Sequence, residues 1–232
     1  MMKLYKFILL SFFGSIGFVC CDNETIDIPS IYPEATGIFS DDRDGYEYHW
    51  VRIGGLDWTV ENSHYNTGNE INCTMYQPYE WNNNPPLSDE YVEKYGYLYT
   101  LDGALEAVPA GWRLPTDDDW KQLERVLGMS ADEAGQLEWR GSYAGELMRQ
   151  GSEGIQLKFQ MSGYYTPYTT MGTSGYRFMG SYGFFWTVTP DENKEGNYYY
   201  YRKLYYKSSQ VYRQSMEPNK EMLSVRFVRN AK

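Results

Sequence analysis

Gly111-Trp-Arg-Leu-Pro-Thr-Asp-Asp-Asp-Trp-Lys-Gln-Leu-Glu124 is the stretch that decides the fold. Thr116 follows a proline and precedes three aspartates, and a hydroxyl there accepts a bond from the amides that a helix start leaves unpaired. Asp117, Asp118 and Asp119 set negative charge at the positive end of the helix dipole. Trp120, Leu123 and Leu127 recur at three- and four-residue spacing, so they predict one amphipathic face, and Gly128 ends the helix. Three adjacent carboxylates also raise metal or acid–base chemistry. At a first helical turn, capping is the simpler explanation of the same residues.

Upstream, Thr100 predicts the cap of a short helix running to Val108, stopped by Pro109 and Gly111. Before it, residues 46–53 and 56–60 alternate in character around Gly54-Gly55, which predicts a tight antiparallel hairpin with Asp44-Gly45 as the turn leading in. Asp41-Asp42-Arg43-Asp44-Gly45 has a calcium-loop look. An EF-hand needs glutamate six residues after its glycine, and Val51 stands there. Residues 61–96 are irregular, with Asn82-Asn83-Asn84-Pro85-Pro86 the plainest loop. Downstream, residues 130–135 and 142–150 predict short helices capped by Ser130 and Ser142. Strands are expected at 155–159, 183–189, 198–204, 210–213 and 223–228. Few helices and many short strands in one chain give an α+β fold.

The N-terminus reads differently. Lys3 and Lys6 precede an apolar run from Phe7 to Val19, then Cys20-Cys21, and Asp22 breaks the hydrophobicity. A basic start followed by so short an apolar stretch describes a secretory signal peptide rather than a membrane-spanning helix. A cysteine at this spot resembles the lipobox of bacterial lipoproteins, and a small residue before the cut favours Cys21, preceded by Cys20. Residues 1–20 are therefore expected to be a lipoprotein signal, 21–36 an acidic, proline-containing tether, and 37–232 the globular domain. Lipidation at Cys21 implies a membrane anchor.

Charge and cysteine count narrow the rest. Lys and Arg number 21 against 31 Asp and Glu, a net −10 that becomes about −12 once Lys3 and Lys6 leave with the signal. Such a surface repels nucleic acid and anionic lipid. Of 3 cysteines, only Cys73 lies beyond the Cys20-Cys21 pair at the signal junction, so 24 tyrosines, 7 tryptophans and 10 phenylalanines must supply the core.

Asp44-Gly45, Val51-Arg-Ile-Gly-Gly, Trp58-Thr-Val-Glu-Asn62, Tyr95-Gly96, Leu98-Tyr99-Thr100 and the 111–116 segment with Trp120 and Leu123 form an ordered series of motifs. Gly163-Tyr164, Gly183-Phe-Phe-Trp-Thr187 and Ser224-Val-Arg-Phe-Val-Arg229 continue it. The series resembles the Fibrobacter succinogenes major paralogous domain over roughly residues 40–230. A remoter similarity, carried by Arg113-Leu-Pro-Thr, Trp120 and the last strand, is to the C-type-lectin and sulfatase-modifying-factor group, and implies an α+β, C-type-lectin-like single domain with twisted antiparallel strands, two main helices and long loops. The modifying enzymes oxidise with a late cysteine pair; after Cys20-Cys21 this chain has one cysteine, Cys73, which lies early and argues against that branch. Glu217-Pro218-Asn219 spells a lectin calcium triplet but lacks the Trp-Asn-Asp that normally follows, so it reads as a polar turn. No metal or other cofactor is expected, calcium having no support beyond that triplet.

The resemblance to surface lipoproteins implies an outer-membrane or cell-surface location in a diderm bacterium. The expected function is a non-enzymatic binding or adhesion module, with a glycan or a surface protein as partner. Tyr79, Trp81, Tyr164, Tyr165 and Tyr168 are the candidate ligand-binding residues, since flat amphipathic rings stack on sugars. They fall where Pro, Gly and Asn interrupt any strand period. The alternatives are a structural subunit of a surface assembly, or a hydrolytic enzyme with carboxylates paired in space. His49 and His64 are read as bystanders, with no nucleophile recognisable beside either.

Overall fold

A computed structural model describes residues 27–76, 89–152, 154–167 and 175–231. The chain is α+β. In order it runs β1 (Ala35–Ser40), β2 (Glu47–Ile53), β3 (Leu56–Thr59), β4 (Cys73–Thr74), α1 (Asp89–Tyr95), β5 (Leu98–Tyr99), α2 (Leu101–Glu106), α3 (Asp117–Val126), α4 (Ala131–Gly135), β6 (Glu138–Arg140), α5 (Ala144–Arg149), β7 (Tyr164–Thr166), β8 (Gly175–Arg177), β9 (Tyr182–Pro190), β10 (Tyr199–Tyr205), β11 (Val211–Met216) and β12 (Val228–Asn230). Two four-stranded sheets, β1-β2-β3-β12 and β6-β11-β10-β9, are antiparallel throughout, and β4-β5 and β7-β8 are two-stranded ribbons.

The hairpin β2-β3 turns at Gly54 and Gly55, whose φ of 59° and 81° is the left-handed pair a two-residue turn requires. Helix α3 forms as its cap signals predict. Thr116 Oγ1 accepts from the Asp119 amide at 3.1 Å and the Asp119 carboxylate accepts from the Thr116 amide at 2.6 Å. Its apolar face buries Trp120, Leu123 and Leu127 completely. Trp120 meets Trp58 of β3 edge-on at 5.2 Å and Phe185 of β9 at 5.9 Å, so this one helix joins both large sheets.

The aspartates have separate duties. Asp118 points to solvent, Asp119 caps, and Asp117 is buried in an ion network that the capping explanation did not include. Asp117 accepts from Arg202 at 2.7 Å and from Arg213 at 2.7 Å. Glu124, two turns further along the same face, accepts from Arg202 and Arg140, each at 2.6 Å. Burial alone would raise the Asp117 pKa, but Arg213, Arg202 and Lys121 outweigh it and hold the carboxyl well below its usual range. Burial draws the Arg140 guanidinium down to about 10.

Four expectations need correction. Residues 155–159 are no strand: Gln156 and Lys158 adopt φ of 62° and 47°, and the buried alternation of Ile155, Leu157 and Phe159 belongs to irregular chain. Of 223–228 only Val228 lies in a strand; Leu223 and Ser224 make single bridges to Tyr99 and Phe185 as the segment crosses between elements. Helix α5 is not capped by Ser142, since its N-cap is Tyr143 with no side-chain bond. The chain also meets the core before residue 37, because β1 starts at Ala35 and Ile28 and Ile31 lie against the apolar cluster.

Candidate functional site

Many of the residues that carried the family resemblance build the core, among them Trp58, Tyr99, Trp120, Trp186 and Arg226. Arg226 is fully buried and reaches four oxygens: Asn62 Oδ1 at 2.6 Å and the carbonyls of Thr59, Leu157 and Lys158 at 2.7, 3.0 and 3.0 Å. Its guanidinium also lies 4.4 Å from the Phe159 ring centre. Burial lowers its pKa to about 9, and it stays a cation at neutral pH because those dipoles replace the lost water. Arg113 donates to the Asp119 carboxylate at 2.5 and 2.9 Å. These two arginines hold the fold.

Both histidines face one polar pocket of about 460 Å³ beside β2, lined also by Glu47, Glu61, Glu93 and Lys158. Sequence spacing gave no hint that they meet. His49 Nδ1 lies 3.0 Å from Glu61 Oε1. The His64 ring stacks on Tyr46 at 4.0 Å, with its nitrogens 2.7 and 3.2 Å from the carbonyls of Asn62 and Glu93. Among the described residues neither serine nor cysteine lines this pocket. Among the described residues no group of three His, Cys, Asp or Glu side chains is placed to hold a metal ion, and no helix is long and apolar enough to cross a membrane.

The candidate lipidation and ligand-binding residues divide. Cys21, Tyr79, Trp81 and Tyr168 lie outside the described residues. Tyr164 and Tyr165 are described, and they lie not on an irregular loop but in β7, where successive side chains point to opposite faces. They are therefore parted. Tyr165 turns to Tyr176 at 4.7 Å, which continues through Tyr76 to Tyr91 and Tyr95 in a file of half-buried tyrosines. Tyr164 turns the other way, onto Phe184 at 5.0 Å and Phe178 at 6.0 Å.

That second direction leads to the most distinctive surface of the molecule. In β10, Tyr200, Arg202 and Leu204 face α3, while Tyr199, Tyr201, Lys203 and Tyr205 face away from it. Pairing across the sheet puts Trp139 (β6), Tyr212 (β11), Lys203 (β10) and Phe184 (β9) in one row. The Lys203 ammonium lies 3.7 Å from the Tyr212 ring centre and 5.1 Å from that of Trp139, and its burial lowers its pKa. Tyr182 stacks on Tyr205 at 4.6 Å beside this row. The Trp186 end of the face is covered, its indole donating to the Tyr99 carbonyl at 2.8 Å; toward Phe178 and Tyr206, 54% and 46% exposed, it is open. Strand alternation in 198–204 was the signal that halves these tyrosines; which half faces outward depends on α3 and was not legible.

At the edge of this face lies a pocket of about 270 Å³, walled by Tyr164, Phe178, Phe184, Tyr201 and Glu221. Glu221 Oε2 is shielded from solvent and has no hydrogen-bond partner. Burial pushes the Glu221 carboxyl up to about 7, against the smaller opposing pull of Thr166 and Arg177.

A mixed domain with two antiparallel sheets, a helix locked between them and an aromatic outer face is thus defined. The chain belongs to the Fibrobacter succinogenes major domain family, whose model matches residues 51–229. No curated protein matches the chain. No solved structure matches it.

Proposed function

We propose that this chain is a lipoprotein anchored at Cys21 to the outer membrane or cell surface, carrying a non-enzymatic C-type-lectin-like binding module for glycans. The observation that carries the reading is the row Trp139-Tyr212-Lys203-Phe184, laid across four strands and running into the aromatic pocket at Tyr164. Half-buried tyrosine and tryptophan rings held on a sheet offer rigid, flat contact area with polar tips, which suits the apolar face and hydroxyl edge of a pyranose. A net charge of −10 disfavours nucleic acid and does not oppose a neutral sugar. The reading keeps Tyr79, Trp81 and Tyr168 as further ligand-binding residues, on the sequence argument alone.

The test is a polysaccharide array with the purified protein, followed by Tyr205→Ala and Tyr212→Ala. Each is expected to weaken the strongest signal by on the order of 1 kcal/mol or more, with circular dichroism unchanged. Signals that survive both replacements would place binding elsewhere. A silent array, with stable capture of other surface proteins, would favour a structural subunit.

A further inference from the structure

We infer that the pocket between β7, β9 and β10 is a site for an ammonium group, with Glu221 as its counter-charge and the rings of Tyr164, Phe178, Phe184 and Tyr201 as its walls. This deepens the glycan reading by naming the substituent, an amino sugar. The geometry has three parts. The first is a carboxylate oxygen shielded from water and without a hydrogen-bond partner, an expensive arrangement unless a donor is to be met there. The second is the set of four aromatic side chains that line the same pocket as Glu221, since aromatic faces attract cations. The third is Phe178, whose backbone sits at φ 61°, a conformation that costs a bulky side chain strain, and which is held with its ring on the pocket wall.

The charged and titratable neighbours fit the same assignment. Lys203 lines the pocket, but its ammonium is turned over Tyr212 on β11, and Glu221 has no ion-pair partner among the described residues. Arg177 on β8 acts on Glu221 from a distance, Thr166 and Tyr164 face it from β7, and Tyr201 from β10. The carboxyl titrates near 7, so a bound cation drives it to ionise. A proton then leaves Glu221 for solvent as the ammonium takes its place, and the charges balance.

Calorimetry on the purified protein tests this with tetramethylammonium, whose charge does not titrate, and with methyl glucosaminide against methyl glucoside, its neutral twin. At pH 7.5 the ammonium probes are expected to bind about tenfold more tightly than the neutral twin. Tetramethylammonium binding should weaken about tenfold by pH 5.5, as Glu221 takes up its proton, and heats should vary with buffer in the sense of proton release. Glu221→Gln keeps the shape and should abolish both the preference and the pH dependence. Equal binding of the twins, or a flat pH profile in the parent protein, overturns the inference whether or not the variant folds. Tetramethylammonium binding that needs Glu221 beside a silent array would sink the glycan reading and leave the ammonium site standing. Neutral glycans bound equally by the parent and Glu221→Gln would do the reverse.

Discussion

Replacing Glu124 by glutamine tests what holds α3 between the two sheets. The side chain is wholly buried, and its two oxygens accept from Arg202 and Arg140 at 2.6 Å each. Glutamine preserves the volume but turns one acceptor into an amide donor aimed at an arginine. Asp117 is then the one carboxylate facing Arg202 and Arg213, while Arg140 keeps only carbonyl partners, Val211 at 2.9 Å and Ala134 at 3.4 Å. An uncompensated buried cation costs about 3–5 kcal/mol, a large share of the roughly 5–15 kcal/mol that stabilises a domain. At roughly 2–4 °C per kcal/mol for a chain of this size, the melting temperature should fall on the order of 10 °C. Urea unfolding followed by tryptophan fluorescence is the assay, because Trp120 stands 5.8 Å from the Arg202 guanidinium and reports on this layer. The double variant with Arg140→Gln should be less damaged than the two single losses added together. A Glu124→Gln protein whose midpoint moves by less than about 1 kcal/mol, at unchanged slope, would refute the network's role in stability.

Other perturbations have equally definite outcomes. Trp120→Ala should cost about 3–5 kcal/mol in the same unfolding assay, and an unchanged midpoint would show that the α3 face is not the keystone of the core. Burial raises the Cys73 thiol to about 11, so a maleimide at pH 7.5 should label it only after unfolding; rapid labelling of native protein would contradict the packing around β4. Cys21→Ala should abolish incorporation of a labelled fatty acid while Cys20→Ser leaves it, and persistent label in the first variant rejects that assignment. Glu221 makes stability depend on pH. Its folded pKa lies near 7, above the ordinary 4.5, so the folded state binds the extra proton and stability should decline as pH rises from about 4.5 to 7. The paired aspartates, with lowered pKa values, act in the opposite sense at more acid pH. Glu221→Gln should flatten the upper slope, and an identical slope in both proteins would contradict the burial described.

What was legible in the sequence was what is locally determined. The Thr116 cap, the Gly54-Gly55 turn and the apolar face of α3 depend on residues within a few positions of one another. Residues 155–159 misled because burial alternates there without a ladder. The carbonyls of Leu157 and Lys158 are taken by Arg226, some seventy positions on, instead of by a strand. The same limit applies to the site. Tyr164 was singled out, but its partners Phe178, Tyr201 and Glu221 come from three other segments, and only the sheet register brings them together. The histidines illustrate the converse, two residues dismissed separately that share a pocket because β2 and the chain after β3 run side by side.

The crossing segment from Leu223 to Asn230 sets a temporal order on the molecule. Arg226 clasps Asn62, 164 positions earlier, Val228 exchanges bonds with Arg113, and β12 completes the first sheet. Contacts of such separation form late, because the intervening chain must first be gathered. Until those eight residues have emerged from a ribosome or a translocation pore, β3 has an open edge and the carbonyls around Phe159 have no cation. A nascent chain stalled short of them presents that gap to any protease nearby. Delivery of this segment closes that edge and supplies those carbonyls with their cation.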